Sequence, residues 1–356
     1  MKKLMPLAAI LLLLSLAGCD KESAASNYYN KYEKIIDGSK TIAYGEDNQI
    51  QLFAAGPSLD AVRDALEASL ARRVTIVQEE QYFAPTFQDP GQLDDFRPYK
   101  NLIYGGTLEG KDAVSQHILK TLAPELLDQT QASGAELFVI DNLYARDQII
   151  LFLLAKDTAA LAKLAQDRSE QIFSQLLERY RQRLAYAAYR NEVIEDKFFA
   201  DRPFSIKIPN IYRLWKDEKA GRFLSFMFQP VKPSRQTPDK YISVYYEPMP
   251  ANGVNADWIY ETRQELGTSF LGGDQIYQDR YQTEEAELAG FKGLRMTGHW
   301  INPSEGGFGG AFQTWAFWHE PSQTAYLVDN IAFFPDGDKL PVLLELGMLS
   351  QSLEVK

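Results

Sequence analysis

Leu294-Arg295-Met296-Thr297-Gly298-His299-Trp300-Ile301, the glycine-rich Gly306-Gly307-Phe308-Gly309-Gly310, Ala311-Phe312-Gln313-Thr314-Trp315-Ala316-Phe317-Trp318 and, after a polar break, Tyr326-Leu327-Val328-Asp329-Asn330-Ile331-Ala332-Phe333-Phe334 carry three consecutive β-strands. β-Branched and aromatic side chains fill each run, and the glycines supply a hairpin, so the pairing is antiparallel. In the middle run Trp315 and Phe317 project to one side while Phe312 and Trp318 project to the other. Both faces are therefore apolar, and both need cover. Outward from this stretch, residues 204–208, 223–228 and 241–246 add strands, with hairpin signals at Gly221 and over 230–238. One helix around 258–266 interrupts them, and an amphipathic helix over 340–353 closes the chain. Residues 201–356 thus read as a mainly antiparallel α+β lobe.

Upstream the pattern changes. Residues 50–55, 74–77, 101–104, 137–140 and 149–154 suit short strands. Between them Leu59, Val62, Leu66 and Leu70 recur at helical spacing behind Ser58 as N-cap, and Val114, Ile118 and Leu122 mark a second helix stopped by Pro124. A helical pattern then covers 158–190, either one rod of roughly 50 Å or two pieces broken near Asp167. Its Arg179, Arg181, Arg183 and Arg190 read as a solvated face. Residues 49–200 form a mixed α/β lobe ending in this long helix, and the whole chain is of the α+β class.

The 356 residues are 45% hydrophobic and 24% charged, enough for a real core. The net charge of -11 and the lack of a basic run exclude a nucleic-acid partner. The single cysteine excludes an internal disulfide, a cysteine zinc cluster and a C-x-x-C redox pair. That residue is Cys19. Lys2 and Lys3 precede a short apolar stretch over 4–16 that ends in Leu16-Ala17-Gly18-Cys19, which resembles the lipobox of bacterial lipoproteins. Residues 1–18 are read as a signal peptide, and residues 19–48 as a tether carrying diacylglycerol and palmitate on Cys19. The acidic body will not hold an anionic membrane by charge, so attachment rests on the lipid. The expected location is the cell envelope. Asp20 after the cysteine resembles an inner-membrane retention signal, whereas Asp20-Lys21-Glu22 resembles an export signal, and both sortings stay open.

Four blocks stand in order behind the lipobox: Arg97-Pro98-Tyr99-Lys100-Asn101-Leu102-Ile103, Ala145-Arg146-Asp147-Gln148, Ile206-Lys207-Ile208-Pro209 and Gly293-Leu294-Arg295-Met296-Thr297-Gly298. Together they resemble the uncharacterised bacterial lipoproteins grouped as domain of unknown function 4837, from about Ile50 to the end. The resemblance implies an envelope lipoprotein and supplies no activity, substrate or catalytic residue. The blocks themselves read as flanks of strands.

Constellations that carry chemistry are few. Gly105-Gly106-Thr107-Leu108-Glu109-Gly110-Lys111 matches the spacing of a phosphate loop, but Asp112 stands where a Ser or Thr would hold magnesium. His299 and His319 lie on two strands joined by the glycine turn, and pairing about residue 308 or 309 would bring them together with Glu305 or Glu320 as weak metal candidates. His117 reads as structural. His319-Glu320-Pro321-Ser322-Gln323 lacks the second histidine of a zincin, and Gly267-Thr268-Ser269-Phe270-Leu271-Gly272 is too long for a nucleophile elbow. Asp94-Asp95 and Glu284-Glu285 read as solvated charge. The aromatic stretch has two readings: a strand buried on both faces, or a contact surface in which Phe308 at a hairpin tip, Phe312 and Trp315 meet an envelope protein or glycan. No cofactor is expected. The leading functional expectation is a binding or assembly module at the membrane surface; the alternative is an envelope hydrolase acting on glycan or peptide.

Overall fold

In the computed structural model, which describes residues 38–232, 235–305 and 307–356, β1 (Gln49–Phe53) leads through Gly56 into α1 (Pro57–Leu70). Cys19 and most of the expected tether lie outside the described residues. Gly56 sits at φ 51 and Pro57 opens the helix, where its missing N–H costs nothing. Ser58, expected as the cap, is instead buried inside the first turn. The hairpin β2 (Arg73–Thr75) and β3 (Glu79–Gln81), strand β4 (Ala84–Phe87), the single turn α2 (Leu93–Phe96) and β5 (Asn101–Thr107) follow. Then come α3 (Ala113–Thr121), α4 (Pro124–Ser133), β6 (Ala135–Asp141) and β7 (Ile149–Ala155). Pro124 ends one helix only by starting the next. The five strands are ordered β4-β1-β5-β7-β6, parallel except for β6.

This first sheet is covered on both sides. Phe53, Leu102, Tyr104, Ile150 and Phe152 pack against Val114 and Ile118 of α3. On the opposite side Ile50, Leu52, Ile103, Leu151 and Leu153 meet α1 and the two helices that follow β7. These are α5 (Thr158–Asp167) and α6 (Ser169–Ala188), so the long helical pattern breaks at Arg168, next to Asp167. Of the four arginines expected on a solvated face, Arg190 is exposed and Arg181 half-buried, but the other two are not solvated. Arg179 and Arg183 are buried and ion-paired to Asp141 and Asp147, respectively.

The chain continues through β8 (Phe204–Ser205), β9 (Arg213–Glu218), β10 (Phe223–Phe228), β11 (Asp239–Pro248), α7 (Ala256–Phe270), β12 (Gln275–Leu288) and β13 (Phe291–Asn302). It ends with β14 (Phe308–His319), β15 (Thr324–Phe333), α8 (Leu340–Ser350) and β16 (Glu354–Val355), which pairs with β8. Seven of these strands form an antiparallel sheet ordered β12-β13-β14-β15-β11-β10-β9. The alternation along β14 does what its sequence implies: Trp315 and Phe317 enter one core, Phe312 and Ala316 the other. The first core takes in α8 and α6 and is continuous with that of the five-stranded sheet, so it runs across the boundary expected near residue 200. The second lies beneath Ile259 and Leu266 of α7. The fold is α+β.

Candidate functional site

The helix α7 packs on one face of the seven-stranded sheet, through Ile259 and Leu266. Beyond Phe270 the chain turns through Gly272 and Gly273, both at positive φ, and leaves a cavity of about 300 Å³ between residues 271–274 and the sheet. Strand register brings the walls together. Phe308 lies opposite Asn302, Trp300 opposite Gly310, and Asp239 opposite Phe333. A Cβ on Gly310 would stand 2.1 Å from the Ala332 carbonyl oxygen and 3.0 Å from Trp300 Nε1. Glycine there lets the indole lie close over the strand.

Three rings form one wall: Trp300 and Phe308 have centroids 6.0 Å apart at 87°, and Phe308 and Phe333 are 5.3 Å apart at 61°. Trp215 and Tyr241, 6.2 Å apart at 80°, form the other. The charged groups lining the cavity are Asp239 and Asp274. Asn302 Nδ2 donates to Asp274 Oδ1 and to the Gly272 carbonyl, each at 2.9 Å, fixing that carboxylate and the turn together. Gln229 Nε2 donates to Asp239 Oδ2 at 3.2 Å. Burial raises the Asp239 carboxyl above the ordinary aspartate range. Burial, with the charges of Asp239 and Asp274 behind it, pushes the Tyr241 hydroxyl up to about 12. Trp300 Nε1 is buried without an acceptor.

Of the expected contact residues, Phe308 alone reaches this cavity. Strand β13 ends at Asn302 and β14 begins at Phe308, so Phe308 is the first residue of a strand and not a hairpin tip. Phe312 is fully buried under the guanidinium of Arg263, 4.1 Å from its ring centroid. Trp315 is buried on the opposite face, against Gly347 of α8. The contact role expected of these two is corrected: both are core. The same register separates the histidines. His299 pairs with Ala311, leaving His319 eight residues farther along β14, roughly 26 Å away at strand rise. Among the described residues no group of three His, Cys, Asp or Glu side chains could hold a metal ion.

The remaining motifs resolve into structure. His117 Nε2 lies 2.9 Å from the Tyr144 hydroxyl, and burial lowers the imidazole to about 4. In the phosphate-loop match, Asp112 caps α3 by accepting from Val114 N and Ser115 N, and Ser115 Oγ donates to it at 2.7 Å. A Cβ on Gly110 would meet Ser115 Oγ at 2.2 Å, so the glycine makes room for the helix's own cap. The blocks at 97–103 and 145–148 build one clamp. Arg183 donates to Asp147 Oδ1 and Asn101 Oδ1, both at 2.8 Å, and Gln148 Nε2 donates to the Arg97 and Tyr99 carbonyls, both at 2.6 Å. Asp94 and Glu284 are exposed and paired with Arg97 and Arg295. Sequence reasoning missed Trp215, Asp239, Tyr241 and Asp274 as site residues. Their spacing carries no signal, because only strand pairing brings them together.

The family model described as Domain of unknown function (DUF4837) matches residues 191–352. Two of the four familiar blocks, at 206–209 and 293–298, fall inside that span; the other two precede it. No curated protein matches the chain in sequence. Among solved structures, LpqN, described as involved in cell envelope biogenesis of Mycobacterium tuberculosis, shares 15% identity over 43% of this chain and 83% of its own, with a TM-score of 0.28. The Saccharomyces cerevisiae Ran-binding protein Mog1p shares 9% over 44% of this chain and 92% of its own, at 0.31. Cyanobacterial PsbP from Synechocystis shares 13% over 44% and 89%, at 0.30. Likeness this slight transfers no role. The sequence match to the domain of unknown function DUF4837 thus covers residues 191–352, which contain the seven-stranded sheet and the cavity on it.

Proposed function

We propose that this chain is a lipid-anchored binding module of the cell envelope and that the cavity at the end of α7 is its ligand seat. The observation that carries the reading is the cavity itself: five aromatic rings and two carboxylates converge on about 300 Å³. Such a mixture of apolar wall and few polar groups is how small-molecule sites are built. The anchor is supported by the lipobox at Cys19. Two experiments test the two halves. A clickable palmitate analogue fed to cells should label the wild type and not Cys19→Ala, and the variant should leave the membrane fraction; equal labelling removes the anchor. A ligand screen by thermal shift on the detergent-solubilised full chain should give hits that Phe308→Ala abolishes; hits indifferent to Phe308 remove the seat.

A second reading, hydrolysis of an envelope glycan or peptide, is favoured by one feature: Asp239 and Asp274 share the cavity, and burial keeps the Asp239 carboxyl easier to protonate than an ordinary aspartate. A carboxylic acid beside a carboxylate is the pair that acid-assisted hydrolysis uses. Turnover of an envelope polymer lost in both Asp239→Asn and Asp274→Asn would establish it. Binding without turnover would exclude it.

A further inference from the structure

We propose that the group held in this cavity is an organic cation, an ammonium or quaternary ammonium carried by a small molecule or headgroup. The inference deepens the ligand-seat reading and rests on it. Charge comes first. Every charged side chain lining the cavity is acidic. Arg213, whose charge acts on Asp239, donates to Gln229 Oε1 at 3.1 Å and is not part of the lining. An anionic ligand would therefore meet two carboxylates in a partly dry site and would be repelled. Asp239 is hydrogen-bonded by the neutral Gln229, and among the described residues no Lys or Arg is ion-paired with it. A half-buried carboxylate whose only hydrogen-bond partner here is neutral gains from an entering cation.

Ring geometry points the same way. A sugar or another flat ligand needs one broad aromatic platform. Here Trp300–Phe308, Phe308–Phe333 and Trp215–Tyr241 meet at 87°, 61° and 80°, and Trp300–Phe333 at 48°, so no two of these paired rings form a flat platform. Inclined rings lining a compact cavity suit a tetrahedral ammonium better than a flat ligand. The burial that raises the Asp239 carboxyl is also what strengthens its attraction for an entering positive charge.

The test is calorimetric titration of the full-length, detergent-solubilised protein with choline, tetramethylammonium and a short diamine. The neutral choline isostere 3,3-dimethylbutan-1-ol and N-acetylglucosamine are run beside them. At least one cation should bind, and the isostere should bind roughly tenfold or more weakly than choline when choline is that cation. Asp239→Asn, which keeps size and shape, should lower cation affinity by about the same factor and leave the isostere unchanged. Phe308→Ala should weaken both. Asp274→Asn gives a second charge variant if Asp239→Asn alters the melting transition. Equal binding of choline and its isostere overturns the cation and leaves the seat in place. So does Phe308-dependent binding of the sugar with no cation bound. Failure of every cation to bind also overturns the inference. The ligand-seat reading itself falls only if no bound compound, cation or neutral, responds to Phe308→Ala.

Discussion

Arg263 of α7 and Asp329 of β15 are both at 0% exposure, with Nε and Oδ1 3.5 Å apart, inside an otherwise apolar core. At an effective dielectric of about 20 the attraction at that distance is about 5 kcal/mol, against a desolvation cost of several kcal/mol for each ion. The pair therefore adds little net stability over an apolar replacement, yet either member alone is costly. The surroundings deepen the asymmetry. Arg263 has no hydrogen-bond acceptor for Nε, Nη1 or Nη2, and it rests on the Phe312 ring; Asp329 has the Thr314 hydroxyl donating to Oδ1 at 2.6 Å. Arg263→Met should destabilise by about 3–5 kcal/mol, because it leaves Asp329 with a single hydroxyl donor. Asp329→Asn should cost a similar amount, since the guanidinium would then face only Phe312 and an amide. The double variant should recover most of the loss and stand within about 1–2 kcal/mol of wild type. Denaturant unfolding of all four proteins completes the cycle. Additive single losses, or singles that each cost under about 1 kcal/mol, would refute the reasoning.

Three further outcomes follow from the geometry. Because the folded Asp239 carboxyl is raised above its unfolded value, its contribution to stability is present at acidic pH and is lost as pH rises through the folded value; Asp239→Asn should raise Tm at neutral pH, and the gain should vanish in acid. His117 behaves in the opposite sense. With the folded imidazole lowered to about 4 from 6.5, the unfolded chain takes up the proton first, so stability falls as pH drops through that window, and His117→Gln should flatten that part of the Tm profile. Gly310→Ala places a methyl 2.1 Å from the Ala332 oxygen and should cost about 1–3 kcal/mol while shifting tryptophan fluorescence as Trp300 is displaced; an unchanged spectrum and Tm would contradict the packing described for that wall.

The parts of the fold legible in the sequence are those whose burial is one-sided or complete. β7, Ile-Ile-Leu-Phe-Leu-Leu-Ala, is buried at every position, and a strand inside a doubly covered sheet has no polar face to obscure it. The alternation of β14 announces cores on both sides. The strands that escape notice are edges. β9 reads Arg-Leu-Trp-Lys-Asp-Glu and β12 is mostly polar, because a sheet edge carries charge that discourages further pairing and so loses the apolar period. The arginines of α6 mislead for a related reason. Helical spacing cannot distinguish a solvated guanidinium from one buried on Asp147 and Asn101, whose positions along the chain lie 36 and 82 residues away.

The candidate site was hidden by the same arithmetic. A turn centred three or four residues earlier than the glycines suggest moves Phe308 from a tip into a wall and separates His299 from His319. The aromatic density of 300–318 located the right sheet but not the right face, since half of it belongs to each core. What selects the face is α7. Asp329, Ile331 and Phe333 project to the same side of β15, so the buried pair that docks Arg263 lies one step from the cavity floor at Ile331 and two from its wall at Phe333. The end of α7 and the turn after it form the opposite side through Leu271 and Asp274. Loss of the Arg263–Asp329 contact is therefore expected to shift α7 on the sheet and the cavity with it. A ligand lost in Arg263→Met and restored in the double variant would tie the two together; a ligand still lost in a refolded double variant would show that the pair fixes α7 in a way that an uncharged Met–Asn pair does not reproduce.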